Sequence, residues 1–158
     1  MATQSQLLAP LPEHLNVVPW RDLGGEATGH RPDSPYIEAV WLGVLGPSTT
    51  LAWRRLARLA TARPETVVGT AELAQSLGLS QGLERNSAMS RTVARMVSFG
   101  AATRSGMTLA VRIALPDVAP GPRQRLSVSA RLAHGLLGKR QPLAGSAGQA
   151  PVGAGVGL

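Results

Sequence analysis

Residues 70–115 constrain the fold more than any other part of this chain, because the spacing of their apolar side chains changes along the segment. Residues 71–77 carry leucine and alanine at the spacing of a short helix. A second helix is predicted from a cap at Asn86 or Ser87 to Phe99, since its apolar residues recur at positions i, i+4, i+7 and i+8. The segment therefore begins with two helices joined by a turn.

Beyond residue 100 the apolar period becomes two, which is typical of a β-strand. The alternating apolar residues are Leu109, Val111 and Ile113. Ser105 and Gly106 suit a hairpin turn between strands at residues 101–104 and 107–115. A small hairpin is thus expected directly after the helix pair.

Three further helices are expected around this segment, at residues 35–45, 47–62 and 127–137. The first begins with a Ser-Pro pair, which suits a helix cap and first turn. One face of the last helix carries Val128, Leu132 and Leu136. The chain is therefore predicted to be mainly α with a small β hairpin, an α+β protein.

One domain is expected, covering residues 34–138. Residues 1–33 contain four prolines and no lasting period, so we expect a flexible N-terminal arm. Within this arm, the apolar residues from Leu15 to Trp20 form either a short segment that docks on the domain or a partner, or an isolated exposed patch. Residues 139–158 are rich in glycine and alanine, which predicts a disordered tail.

The charge of the chain is positive and unevenly distributed. The net charge is +7 and the isoelectric point is about 11.6. Residues 85–140 contain ten basic residues and one acidic residue, a net charge of +9, whereas residues 1–33 have a net charge of −2. This distribution favours a polyanionic partner that contacts the C-terminal half of the chain.

Residues 47–115 resemble the winged helix-turn-helix family of bacterial transcription regulators in the order of their elements. The matching segments are Thr70-Ala71-Glu72-Leu73-Ala74 in the first helix of the pair, Leu77-Gly78-Leu79 at the turn and Ser90-Arg91-Thr92-Val93 in the second helix. The resemblance covers a little under half of the chain, and the turn is longer than the usual three to four residues or so. It implies a winged helix-turn-helix domain with additional N- and C-terminal helices.

The resemblance also implies a cytoplasmic DNA-binding protein that regulates transcription, with its second helix in the major groove. Arg91 and Arg95 are one turn apart on the face opposite the apolar stripe, and an arginine fork suits guanine edges and phosphates. The expected DNA-binding residues are Arg85, Asn86, Ser87, Arg91, Thr92, Arg95, Arg104 and Arg112. We expect the combined replacement of Arg91 and Arg95 by alanine to weaken binding to duplex DNA.

Two other functions fit the same features. One is a winged-helix module for protein–protein interaction, in which the basic face meets an acidic protein or the apolar first helix docks into a larger assembly. The other is sequence-independent, nucleoid-type DNA binding. RNA fits less well, because the basic face lacks the aromatic side chains that stack on bases. The nearly apolar helix at residues 36–45, helped by the last helix, is expected to form a homodimer.

Several classes of chemistry lack the residues that they need. The chain has no cysteine, which excludes disulfides and thiolate metal sites. The three histidines, His14, His30 and His134, are far apart in sequence, so no metal is expected. Catalytic and phosphate-binding motifs are absent, so we expect neither enzymatic activity nor a cofactor. No signal peptide and no run of about 18 apolar residues is present, which favours the cytoplasm over a membrane.

Overall fold

The computed structural model describes residues 9–20 and 29–139. Within these residues a four-stranded sheet is combined with six α-helices and one π-helical segment, which makes the protein α+β. The strands are β1 (His14–Trp20), β2 (Thr66–Gly69), β3 (Ala102–Ser105) and β4 (Thr108–Arg112). The π-helical segment (Ile37–Trp41) continues into α1 (Leu42–Leu45), followed by α2 (Pro47–Ala62), α3 (Thr70–Ser76), α4 (Ala88–Ser98), α5 (Pro120–Arg123) and α6 (Val128–Leu137).

The helices and the hairpin lie close to their expected positions. Proline occupies the first turn of α2, where its missing N–H costs no helical hydrogen bond. The hairpin β3–β4 turns at Gly106, whose φ of 57° is in the left-handed region that glycine adopts without strain. The glycine- and alanine-rich tail expected from residue 139 onward lies, except for Lys139, outside the described residues.

Strand β1 is an interior strand of the sheet, which corrects the expected domain boundary at residue 34. The strand order is β2-β1-β4-β3, with β1 antiparallel to β2 and parallel to β4. Leu15 and Val17 are fully buried, because alternate residues of the strand face the core. This segment therefore docks on its own domain and is not an isolated exposed patch. The rest of the expected arm, residues 1–8 and 21–28, lies outside the described residues.

Helix α2 lies at the centre of the core, where it packs against β1, β4 and α4. Its Trp53 is fully buried, and the indole Nε1 donates a hydrogen bond of 2.8 Å to the carbonyl oxygen of Arg112. Trp41 makes a similar bond of 2.8 Å to the carbonyl oxygen of Pro116. The two indoles thus bury their apolar rings while their N–H groups stay paired.

The helix that was expected to form the dimer contact is covered by its own domain. Its buried side chains are Tyr36, Ile37, Val40, Trp41, Val44 and Leu45. The exposed residues are Glu38, Ala39 and Gly43. The apolar surplus is explained by packing from two sides, because α6 packs against the π-helical segment and α2 packs against α1. This helix therefore presents no broad apolar face to a second copy.

A polar cluster connects the π-helical segment to α6. The Tyr36 hydroxyl accepts a hydrogen bond of 2.9 Å from the backbone N–H of Val118 and lies 2.7 Å from Nδ1 of His134. The Tyr36 ring stacks on the His30 ring at a centroid distance of 3.8 Å. His30 Nε2 lies 2.6 Å from Oδ1 of Asp117. These contacts hold α6 in one orientation on the domain.

Burial raises the pKa of Tyr36 above its ordinary value of 10.0. Tyr36 is the only tyrosine of the chain, so the tyrosinate absorbance of the protein reports this group alone. We expect a titration midpoint above 10.0 in the folded protein and close to 10.0 in denaturant. As the pH rises, the unfolded chain loses the Tyr36 proton before the folded protein does. The contribution of protonated Tyr36 to the free energy of unfolding is therefore complete below pH 10.0 and is lost as the pH rises through the pKa of the folded state. Equal midpoints in the two states would contradict this expectation.

Candidate nucleic-acid interface

The start of α4 is fixed by local hydrogen bonds. Ser87 is the N-cap, and its Oγ accepts a hydrogen bond of 3.1 Å from the backbone N–H of Ser90. The Ser90 hydroxyl donates to the carbonyl oxygen of Glu84 at 3.0 Å, which ties the preceding loop to the helix. Asn86 has a φ of 72°, a left-handed conformation that asparagine tolerates better than most residues. Of the two expected caps, Ser87 is the one used.

Helix α4 buries the expected apolar stripe and exposes the two expected arginines. Met89, Val93 and Met96 are buried against the core, and Val97 is half-buried. Arg91 and Arg95 are exposed on the opposite side. The buried arc is wider than the stripe, because it also includes Ser90, Thr92 and Ala94.

Arg85, Asn86 and Arg91 form the unpaired part of the candidate interface. All three side chains are exposed, and within residues 9–20 and 29–139 none of them makes a hydrogen bond or an ion pair. Arg85 and Asn86 directly precede the helix, and Arg91 is one turn inside it. The free backbone N–H groups and the dipole of the first turn favour an anion at the same end. We call Arg85, Asn86 and Arg91 the exposed arginine face.

Ser87 and Thr92 are wrong as DNA-binding residues, because both are buried. Ser87 is 6% exposed and its hydroxyl is used as the helix cap. Thr92 is 5% exposed, and its hydroxyl donates to the carbonyl oxygen of Ala88 at 2.9 Å. The prediction failed because α4 packs against α2 and β3, and its buried side extends beyond the apolar stripe to both residues.

Three of the expected DNA-binding arginines hold backbone carbonyl groups of their own domain. Arg95 donates to Val44 at 2.8 Å. Arg104 donates to Pro10 at 3.0 Å, and burial lowers the pKa of its guanidinium. Arg112 donates to Gly100 at 2.7 Å, and its guanidinium lies 4.2 Å from the centroid of the Trp20 ring. These arginines stabilise the framework around α4 and are not free for a ligand.

Replacing Arg95 with alanine is expected to lower the free energy of unfolding by about 1 kcal/mol, because the carbonyl group of Val44 at the end of α1 loses its charged donor. Replacing Arg91, which has no such bond within the described residues, is expected to change stability by less than about 0.5 kcal/mol. Urea denaturation of the two variants followed by circular dichroism measures both values. Equal stabilities would contradict the role assigned to Arg95.

The positive charge of the described surface has few local counter-charges. Within the part of the chain that the structure describes, no lysine or arginine nitrogen lies within 4.0 Å of a carboxylate oxygen, and the one contact of that length joins His30 to Asp117. The exposed arginines that make no side-chain hydrogen bond there are Arg31, Arg58, Arg63, Arg85, Arg91, Arg125 and Arg131. Glu84 is the carboxylate nearest in sequence to the exposed arginine face. The positive field therefore acts outward, toward an anionic partner.

Sequence reasoning missed the part played by residues 10–13, which link the hairpin to the helix pair. The backbone N–H of Leu11 donates to the carbonyl oxygen of Leu83 at 2.9 Å, in the turn between α3 and α4. The Thr70 hydroxyl, at the start of α3, donates to the carbonyl oxygen of Pro12 at 2.6 Å. Isolated backbone contacts of this kind leave no residue pattern, so the sequence carries no signal for them.

Comparisons with known proteins assign no function to this chain, so its function is inferred from the fold and from the geometry of α4. No family model, no curated protein and no solved structure matches this chain. Within residues 9–20 and 29–139, no helix is long and apolar enough to cross a membrane. Over the same ranges, no three side chains of His, Cys, Asp or Glu come together as a metal site.

Proposed function

We propose that the protein binds duplex DNA through the exposed arginine face of α4 and regulates transcription as a winged helix-turn-helix protein. The observation that carries the proposal is the absence of any intramolecular partner, within the described residues, for Arg85, Asn86 and Arg91 at the start of this helix. The element order supports it, since α2, β2, α3, α4 and the β3–β4 hairpin follow one another as in that family. The central strand β1 is an addition to that arrangement.

In this mechanism the start of α4 binds the phosphate backbone and Arg91 contacts base edges. Arg85 and the first-turn N–H groups of α4 attract phosphate, because positive charge and the helix dipole act at the same end. Arg91 points outward one turn further along, where a bidentate contact with guanine adds about 1–3 kcal/mol of discrimination. Arg95, Arg104 and Arg112 support the helix and the hairpin from behind through their carbonyl contacts.

One observation favours sequence-independent duplex binding as a second candidate function. With Thr92 buried and Arg95 bound to Val44, few side chains of α4 are left to read base edges. Phosphate contacts by the remaining arginines need no particular sequence. Selection of duplexes from a random pool distinguishes the two, because a regulator enriches one site and a sequence-independent binder enriches none.

The proposed function is tested by fluorescence anisotropy of the full chain with a random duplex of about 30 base pairs over about 50 to 200 mM salt. The phosphate contact of Arg85 contributes about −0.9 to the log–log salt slope, and each further phosphate contact by another arginine adds about the same amount. Polyglutamate of matched charge is the control for simple charge attraction, and we expect the duplex to bind more tightly. Equal affinity for polyglutamate would favour an acidic protein as the partner, and no duplex binding at the lowest salt would overturn the proposal.

A role on DNA also predicts where the protein acts. A cytoplasmic location fits this role, and it fits a chain that contains no cysteine. Microscopy of a fluorescent fusion tests it directly, since we expect the signal to coincide with the nucleoid. A signal at the cell envelope would contradict the location.

A further inference from the structure

Helix α2 carries a row of three residues whose hydrogen-bond donors are unused. Thr50, Arg54 and Arg58 follow the spacing i, i+4, i+8, so they lie one turn apart along one side of the helix. Within the described residues, none of these three side chains makes a hydrogen bond or an ion pair. We call Thr50, Arg54 and Arg58 the α2 donor row.

Two members of the row have buried polar atoms without a partner. Thr50 is 2% exposed, and its hydroxyl oxygen is shielded from solvent and makes no hydrogen bond. Arg54 is half-buried, and its Nε is shielded and unpaired in the same way. In the described ranges, these two atoms are the complete set of buried side-chain nitrogen and oxygen atoms without a partner. Folded proteins leave few such atoms unpaired, so two on adjacent turns of one helix mark a candidate binding site.

The row also carries positive charge without a neighbouring carboxylate. Arg54 and Arg58 are one turn apart, and like charges at this spacing repel each other. Within the described residues, no carboxylate oxygen lies within 4.0 Å of either guanidinium group. Arg55 differs from them, because its Nη1 donates to the carbonyl oxygen and the hydroxyl of Ser76. The row therefore offers two uncompensated guanidinium groups to an anion.

The start of α2 adds backbone donors at the same end as Thr50. This residue is in the first turn of the helix, and its Cβ tilts toward the helix N-terminus. The N-cap is Gly46, and no side chain caps the helix. The free N–H groups of the first turn and the positive end of the helix dipole therefore act close to the Thr50 hydroxyl.

We propose that the α2 donor row binds a phosphate group. Arginine donates charge-assisted, bidentate hydrogen bonds to phosphate, and the Thr50 hydroxyl supplies a further donor. A phosphate group presents three acceptor oxygens in different directions, which suits donors from three successive turns of a helix. The half-buried Arg54 side chain rotates toward the ligand on binding, so that its Nε gains an acceptor.

The phosphate group belongs either to the DNA backbone or to a free phosphorylated molecule. Both sources present the same oxygens to the row, and the test below distinguishes them. The row is on α2, whereas the exposed arginine face is on and before α4. The proposal is therefore independent of the proposed function.

Nuclear magnetic resonance titration of the full chain with inorganic phosphate, with chloride used to hold the ionic strength constant, tests the proposal. We expect saturable shift changes at the backbone amides of Thr50 and Arg54 and at the Nε–H of Arg54. The expected dissociation constant is about 1 mM, the range of a few charge-assisted hydrogen bonds. Because the start of α4 also attracts phosphate, the variant with Arg85 and Arg91 replaced by alanine is titrated in parallel, and the changes on α2 should persist in it.

Replacing Arg54 with glutamine is expected to weaken phosphate binding by about tenfold or more, because a charged donor is lost. Arg63→Gln is the matched control, since Arg63 follows α2, is exposed and makes no side-chain hydrogen bond in the described residues. Both variants lose one charge, so a difference between them reports position. Circular dichroism checks that both keep the fold.

Thr50→Val separates binding from stability. Loss of the hydroxyl is expected to weaken phosphate binding by about threefold to tenfold. The urea midpoint should stay the same or rise, because the hydroxyl has no partner in the free protein. A large fall of the midpoint would show that the hydroxyl has a structural partner and would contradict the proposal.

Titration of Arg54→Gln with duplex DNA identifies the source of the phosphate. Weaker duplex binding by this variant than by Arg63→Gln would identify the DNA backbone, and equal duplex binding would identify a free phosphorylated molecule. Absence of saturable shift changes on α2, or equal phosphate affinity of the two variants, would overturn the proposal. Phosphate binding on α2 without any duplex binding would contradict the proposed function and support the α2 site.

Discussion

Replacing Arg85 and Arg91 together by alanine is expected to weaken binding to duplex DNA by about tenfold or more and to flatten its salt dependence. Both side chains are exposed at the start of α4 and have no intramolecular partner in the described residues, so their full charge is available to the ligand. Each lost phosphate contact lowers the log–log salt slope by about 0.9 in magnitude. Loss of the bidentate contact between Arg91 and guanine costs about 1–3 kcal/mol more in binding free energy at that base pair. Fluorescence anisotropy over a salt series measures both effects.

The matched control replaces Arg125 and Arg131 by alanine. These arginines are also exposed and without a side-chain hydrogen bond in the described residues, but they belong to the segment around α6. The two double variants carry the same net charge, so a difference between them reports position and not total charge. Equal loss of affinity in both would contradict a specific role of α4 and would indicate diffuse charge attraction.

The second large effect concerns strand β1. Replacing Leu15 with alanine is expected to lower the free energy of unfolding by about 2–5 kcal/mol, because the side chain is fully buried at the centre of the sheet. A fragment that begins at residue 34 is expected not to fold, since β2 is left without its partner strand and β4 keeps only β3. Urea denaturation followed by circular dichroism measures the first effect. The dispersion of amide proton chemical shifts in the nuclear magnetic resonance spectrum of the fragment measures the second.

Val67→Ala is the control for the strand prediction. Val67 lies in β2 and is 62% exposed, so its truncation should change stability by less than about 0.5 kcal/mol. A folded fragment of residues 34–139 would show that the domain is complete without β1. That result would restore the boundary expected from the sequence.

Local patterns were sufficient to predict most helices and the hairpin. In α4, the cap at Ser87 and the stripe from Met89 to Val97 depend on neighbours within two turns, so they can be read from the sequence. The strand β1 could not be predicted in the same way. It pairs with β2 and β4, which lie about 50 and 90 residues further along the chain, and these pairings are not encoded locally.

The candidate site shows the same division between local and distant information. The outward positions of Arg91 and Arg95 follow from helical geometry and were predicted. The carbonyl partners of Arg95, Arg104 and Arg112 were not, because a long side chain reaches backbone groups that the sequence does not identify. Burial of Thr92 was missed for a related reason, since it depends on what packs beside the helix.

The most direct test of the central claim is nuclear magnetic resonance mapping of the full chain during titration with duplex DNA. If α4 is the interface, the largest changes in backbone amide shift occur at Arg85, Asn86 and Arg91, with smaller changes on α6. Shift changes confined to α6, or a spectrum that does not change at low salt, would contradict the assignment of α4 as a DNA-binding helix.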